Sequence, residues 1–261
     1  MNLNQQQLKS FLHSSPLAVH IYDILESTNQ TAWELLEKGE KTPFVVIAGQ
    51  QTAGRGQWGR KWQSLQGGLY LSLALKTDLA SSDAFHLTLC SGVGLVQSLE
   101  KYNISVKLKW PNDLVIEMRK LGGIKTETKV YQDQITQAVI GVGINWTNTV
   151  PEVGINLHSF KDCAILSLEQ LAAIVIEGLL SSYDFYLSKG IEPLLLAYNQ
   201  SLQNFGQTIT LDGCHGVIIG INPQGALKVC LQSPGASTEI SLPVGTISLG
   251  YDSEIPLKTD T

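Results

Sequence analysis

The chain has 261 residues, of which 43% are apolar and 16% charged, with a formal net charge of -5. This length and apolar content supply a core for one substantial domain with a small companion, and argue against disorder outside the ends. The acidic balance argues against a general nucleic-acid-binding surface while leaving room for a local basic patch.

In chain order, Leu8, Phe11 and Leu12 space a short helix over residues 3 to 13, and residues 17 to 25 read as a strand. Ser27 or Thr28 then caps a helix whose positions Ala32, Leu35 and Leu36 keep helical period until Gly39. A strand over residues 44 to 48 leads into residues 54 to 62, Gly-Arg-Gly-Gln-Trp-Gly-Arg-Lys-Trp, which hold three glycines, three cations and two tryptophans without a carboxylate. That composition suits a loop closing over an anionic ligand with an aromatic ring. Gly54-x-Gly56-x-x-Gly59 matches the spacing of a dinucleotide fingerprint, but the chain continues into the strand-like run 69 to 75 where such a turn requires a helix. Taken alone, the loop also admits the reading of a solvated Gly-rich hairpin, the less favoured of the two.

A long helix is expected over residues 82 to 102, buried on more than one side. A strand over 106 to 110 is broken by Pro111, and further strands begin at Val115, run to about Val130, and span 137 to 144. Because turns join most of these strands, the sheet should be mixed or largely antiparallel, with helices to one side. Residues 168 to 187 and 191 to 204 predict two helices punctuated by Gly190. Beyond Phe205-Gly206 come five short apolar runs separated by Gly, Pro and Asn turns, which suggest a small barrel. The expected division is 1-205, 206-251 and a loose tail over 252-261.

Cys90, Cys163, Cys214 and Cys230 are widely spaced and form no C-x-x-C pair, which favours reduced thiols over a disulfide framework or zinc site. His13, His20, His86, His158 and His215 lack metal-ligand spacing, so no protein-held metal is expected. The polar N-terminus shows no secretory signal, and no uninterrupted apolar segment reaches the length of a membrane span.

Four further segments set polar residues in apolar surroundings: Ser27-Thr28-Asn29; Lys109-Trp110-Pro111-Asn112-Asp113-Leu114; Lys120-Leu121-Gly122-Gly123-Ile124 with Glu127; and Gly141-Val142-Gly143-Ile144-Asn145. In this order, with the Gly-rich loop, they resemble the biotin protein ligases from about residue 18 to 250, Lys109 to Leu114 being the most specific element. The resemblance implies an α+β fold of the class II aminoacyl-tRNA synthetase/biotin synthetase type with a C-terminal SH3-like barrel. It implies a cytoplasmic enzyme that uses ATP and Mg2+ to make biotinyl-5'-AMP and pyrophosphate, then passes biotin to a lysine of the biotin carboxyl carrier protein of acetyl-CoA carboxylase. Neither a nucleic acid nor a membrane is an expected partner, and monomer and homodimer both remain open.

Attack of one anion on the α-phosphate of another requires cations between them. Arg55, Arg60 and Lys120 answer that need, Lys120 holding the biotin carboxylate and the α-phosphate; its alternative is a solvated edge-strand lysine. By resemblance, Gly122 and Gly123 offer backbone groups to the ureido ring, Asn112 lies near the nucleotide, and Asn145 contacts the nucleotide or ribose. Asp113 either binds magnesium through water or orients Lys120, an Asx turn being the alternative for Asn112-Asp113. Ser27, Thr28, Asn29 and Gln51 are neutral donors and acceptors suited to an uncharged ureido group. Gly54, Arg55, Gly56 and Gln57 complete the expected biotin site, and Trp62 either stacks on adenine or packs in the loop.

The resembled loop most often reads Gly-Arg-Gly-Arg, whereas Gln57 stands at the second arginine, so the activated intermediate is expected to leak unless Arg60 compensates. Gly245-Thr246 replaces a frequent Gly-Glu, which puts a glutamate role there in doubt. Some relatives carry an N-terminal DNA-binding domain; only 26 residues precede Ser27, so a ligase without repressor function is expected. The rival readings are a lipoate or octanoate ligase or transferase, which would be marked by its acid specificity, and a non-catalytic biotin-binding protein, marked by failure to turn over ATP.

Overall fold

The computed structural model of the chain describes residues 3–12, 17–160, 163–211, 213–233 and 236–251. The expected loose tail, together with His13, lies outside them.

Seven strands form the main sheet: β1 (Ala18–Leu25), β2 (Phe44–Gln51), β3 (Gly68–Ala80), β4 (Lys107–Lys109), β5 (Asp113–Ile116), β6 (Arg119–Tyr131) and β7 (Gln134–Asn145). Their spatial order is β1-β2-β3-β7-β6-β5-β4. Only β1 and β2 pair in parallel; the other neighbours are antiparallel. A parallel pair needs a crossover, and helix α2 (Thr28–Glu37) supplies it.

The remaining helices are α1 (Gln5–Phe11), α3 (Ala84–Glu100), α4 (Leu168–Lys189) and α5 (Ile191–Ser201). Strand alternation divides the sheet's side chains into two sets. Val45, Ile47, Leu71, Leu73, Ala138 and Ile140 join the large core with α3, α4 and α5. Phe44, Val46, Ala74 and Val139 instead meet Ala32 and Leu36 of α2. The expectation of helices on one side is therefore corrected: helical period reveals that α2 has an apolar stripe, but not which sheet face the crossover selects. Helix α3 is buried around most of its circumference, as its unbroken apolar and small residues predicted. Helix α4 is long and apolar enough to cross a membrane by length and composition, with mean hydropathy 1.2, yet 61% of that stretch is buried inside the protein.

The C-terminal part forms a four-stranded antiparallel sheet, β8 (Thr208–Leu211), β9 (Cys214–Ile221), β10 (Leu227–Ser233) and β11 (Ala236–Leu242), in the order β11-β10-β9-β8. The fifth apolar run, around residues 244–249, does not add a strand among the described residues. It runs back as a strap toward the main sheet, where Lys109 Nζ donates to Leu249 O. The β9–β10 turn docks on the main body through Trp110 Nε1–H to Gly225 O at 2.8 Å and a His86 ring nitrogen 2.9 Å from Pro223 O. Ile218, Ile221, Leu227 and Val229 join the large core directly. The four cysteines are free thiols, Cys90 being buried.

Candidate active site

The cleft lies on the α2 face of the sheet, where the sequence interrupts its apolar strands with glycine. Gly123 of β6 pairs with Gly143 of β7, and Lys125 pairs with Gly141. These glycines make a floor that neighbouring groups approach closely. A Cβ on Gly141 would lie 2.2 Å from Asn29 Oδ1, and one on Gly143 2.6 Å from Trp62 Nε1. The resulting cavity of about 370 Å³ lies within the range of small-molecule sites.

One end is neutral. Ser27 is the N-cap of α2, but its side chain makes no capping bond, so the expectation of a capping hydroxyl is corrected. Gln51 Oε1 instead accepts from Thr28 N at 2.8 Å, while Gln51 Nε2 donates to Ser64 Oγ at 2.7 Å. The buried Ser72 hydroxyl lies 2.6 Å from Asn29 Oδ1 and 2.7 Å from Thr28 Oγ1. Ser27, Thr28, Asn29 and Gln51 all line the cavity, and these bonds lock their orientations.

The other end is cationic. Arg55, Arg60, Lys61, Lys109, Lys120 and Lys125 line the cavity, and Asp113 is its one carboxylate among the described residues. Lys120 Nζ lies 2.6 Å from Asp113 Oδ1 and 5.4 Å from the Trp62 ring centre. A register shift between β5 and β6 brings this pair together: Val115 is opposite Lys120 whereas Leu114 is opposite Gly122. A shift of one residue exchanges sheet faces, which places Lys120 on the Gly123 side beside Asp113. Strand β6 has neighbours on both sides, so the edge-strand alternative for Lys120 is corrected.

The Gly-rich loop is a pinned tongue. Gln51 N donates to Ser64 O, Trp62 N to Gly54 O and Gly56 N to Arg60 O, closing successive rungs. Lys125 Nζ reaches from β6 to the Gly56 carbonyl at 3.0 Å. The Arg60 guanidinium lies 5.9 Å from the ring of the exposed Trp58.

Arg55, Gly56, Gln57, Arg60, Trp62, Asn112, Asp113, Lys120 and Gly123 all line the cavity, but Gly54, Gly122 and Asn145 do not. Gly54 serves the loop's hydrogen bonding, and a Cβ on Gly122 would lie 2.4 Å from Gly143 O. Asn145 is buried; its amide donates to Lys120 O at 3.3 Å and Ile155 O at 3.2 Å and accepts from Asn148 Nδ2 at 2.9 Å. It braces the backbone of Lys120 from beneath the cavity. Asn112 Nδ2 donates to Ile124 O at 2.7 Å, tying its turn to β6.

Lys109, Lys125, Ser72, Gly141, Gly143 and the strap 245–251 were not assigned roles from sequence. Lys125 and Ser72 had a signal, as charged or polar residues in alternation with apolar ones on strands. Lys109 is 3% exposed, and burial pushes its ammonium down to about 8; Asp113 opposes that shift, while Lys120 and Arg60 add to it. Its ammonium sits 4.4 Å from the ring centre of Tyr251. The Tyr251 hydroxyl donates to Asp113 Oδ2, and its pKa is raised by burial and by the Asp113 charge.

The Biotin/lipoate A/B protein ligase family model matches residues 21–145. The chain is 32% identical over 246 residues to the bifunctional ligase/repressor BirA of Bacillus subtilis, covering 86% of this chain and 74% of that protein. It is 33% identical over 265 residues to the Escherichia coli protein of the same name, covering 92% and 78%. The solved biotin protein ligase from Aquifex aeolicus in complex with biotin and ATP matches with a TM-score of 0.67 at 22% identity, over 93% of this chain and 99% of that one. The large mixed sheet, the helices and the small C-terminal antiparallel sheet match that fold. The chain belongs to the biotin/lipoate A/B protein ligase family and, within it, to the biotin protein ligases.

Proposed function

We propose that this chain is an ATP-dependent biotin protein ligase. The observation that carries the reading is that one cavity combines a locked cluster of neutral amides and hydroxyls with six lining cations and a single lining carboxylate among the described residues, Asp113, held by Lys120. The neutral end suits an uncharged ureido group, which presents both N–H and C=O. The cationic end suits a carboxylate meeting a triphosphate.

In the first step a biotin carboxylate oxygen attacks the α-phosphorus, the bond to the β-phosphate oxygen breaks, and pyrophosphate leaves. Lys120 stands between the two anions and lowers their repulsion, with Asp113 fixing its ammonium at 2.6 Å. Arg55, Arg60 and Trp62 take the phosphates and adenine, and Asn112 holds the turn beside them. In the second step the amine of a carrier-protein lysine attacks the acyl carbon, AMP leaves, and a proton is lost from nitrogen. No enzyme nucleophile is needed.

Both Asp113 oxygens are engaged, by Lys120 and by Tyr251, and no group of three or more His, Cys, Asp or Glu residues that could hold a metal occurs among the described residues. This donor set fits a magnesium ion carried in by ATP, with Asp113 able to accept a bond from a water in its shell. Magnesium there supplies charge neutralisation on the triphosphate. Residues 1-205 form the catalytic unit in this reading and 206-251 the C-terminal unit. The biotin carboxyl carrier protein of acetyl-CoA carboxylase is the acceptor, and the cytoplasm the site of action.

The test is exchange of labelled pyrophosphate into ATP with biotin, lipoate or octanoate as the acid. Exchange with biotin alone is expected. Exchange only with lipoate or octanoate moves the chain to the rival specificity, and none with any acid refutes adenylation.

A further inference from the structure

Gln57 leaves the Gly-rich loop one cation short of the pattern it resembles, while Arg60 lines the cavity with its guanidinium 5.9 Å from the exposed Trp58 ring. A different cation reaches the same point of the loop from below. Lys125 Nζ donates to the carbonyl of Gly56, the residue directly before Gln57, at 3.0 Å. Lys125 lines the cavity, and its side chain is 23% exposed.

Its other end is rigid. Lys125 sits on β6, paired with β7 at Gly141, where the missing side chain opens the path across the sheet. Glu127, two residues along the same face, lies 3.4 Å from the ammonium and accepts from Trp33 Nε1 at 3.0 Å. The chain Trp33, Glu127, Lys125, Gly56 therefore joins helix α2 to the loop through the sheet. A charge-assisted bond anchored in a central strand holds a loop better than one between two surface groups.

We infer that Lys125 is a positioning residue that latches the Gly-rich loop over the activated acid, a tether from the sheet that the loop's own Gln57 does not provide. This rests on the ligase reading above. With the loop latched at Gly56, the neighbouring Arg55 is held at the phosphate end and escape of the adenylate requires breaking the Lys125 bond. A tether at Gly56 and a cation at position 57 would both act on one step, escape of the adenylate, which a merely structural lysine would not affect.

The experiment measures pyrophosphate exchange with biotin, then release of labelled biotinyl-AMP from a preloaded enzyme, for wild type, Lys125→Met, Lys125→Arg, Glu127→Gln, Gln57→Arg and the double variant Lys125→Met with Gln57→Arg. Lys125→Met is expected to release the adenylate on the order of tenfold faster, the scale of a lost bond to a charged donor. Lys125→Arg retains the intermediate, Glu127→Gln shows a smaller acceleration, and Gln57→Arg restores retention in the Lys125→Met background. Wild-type release from Lys125→Met, or a double variant as leaky as Lys125→Met, overturns the latch while leaving the ligase reading intact. Absence of biotin-dependent exchange by wild type overturns both. Should Lys125→Met fail to fold, the Glu127→Gln release rate decides the matter: no acceleration there rejects the latch.

Discussion

The Tyr251 hydroxyl donates to Oδ2 of Asp113 while Lys120 holds Oδ1 at 2.6 Å, so both carboxylate oxygens are spoken for, one by the main sheet and one by the segment that follows the small C-terminal sheet. Burial and the Asp113 charge keep the phenol protonated at ordinary pH, so it remains a donor. Tyr251→Phe keeps the ring over Lys109 and removes only that bond. Lost hydrogen bonds to buried charges cost about 1.5 to 3 kcal/mol. The variant is expected to lower the kcat of pyrophosphate exchange by about tenfold with a smaller change in KM for biotin. An unchanged kcat would show that Lys120 alone orients Asp113.

Lys120→Gln leaves Asp113 with Tyr251 alone and, in the ligase reading, removes the cation proposed to stand between the two reacting anions. Loss of one such electrostatic donor costs on the order of 10²- to 10³-fold in rate. Single-turnover formation of biotinyl-AMP is the measurement. A loss below about threefold would place the charge stabilisation elsewhere, in Arg55 or Lys109.

Lys109 carries a pH signature. Its folded value of about 8 lies below the ordinary 10.5, chiefly through burial. Between those two values the unfolded chain binds more protons than the folded one, so this group makes stability rise with pH across that window. Below about 8 both states are charged and the burial penalty is at its full size. Chemical denaturation of wild type beside Lys109→Met should show the stability difference shifting toward wild type as pH goes from about 7.5 to about 9.5. A pH-independent difference would contradict the buried ammonium.

The two glycines in the floor should separate the two ends of the site. Gly141→Ala drives a methyl against Asn29 Oδ1, and Gly143→Ala drives one against the Trp62 indole. The first is expected to raise KM for biotin most, the second KM for ATP most, each by about tenfold if a neighbouring group must move. Equal effects on both constants from either variant would mean that the floor does not divide in this way.

Legibility from sequence followed the distance over which each feature is determined. The tongue 54–62, the turn at Asn112-Asp113 and the Lys120 segment were readable because glycine, proline and charge interrupt apolar strands locally. The side of the sheet taken by α2 was not, since it depends on the β1–β2 crossover rather than on the helix's own period. Asn145 stands at the strand end, and its amide bonds to Lys120 O and Ile155 O join segments that the Gly-x-Gly-Ile-Asn run itself does not mark. Residues 244–249 have the alternation of a strand and run as a strap because Lys109 and Asp113 draw it inward. Tyr251 lies 138 positions from Asp113, and nothing around it in the chain marks the pairing.

That strap makes the order of synthesis matter. Helix α2, the tongue and Lys120 all emerge early, but the clasp on Asp113 arrives only with residue 251. A polypeptide still short of residue 251 has Lys120 but not Tyr251 against Asp113. In the ligase reading, a chain that has yet to deliver its trailing segment holds Asp113 through Lys120 alone and would make the acyl phosphate about tenfold more slowly, the factor expected of Tyr251→Phe.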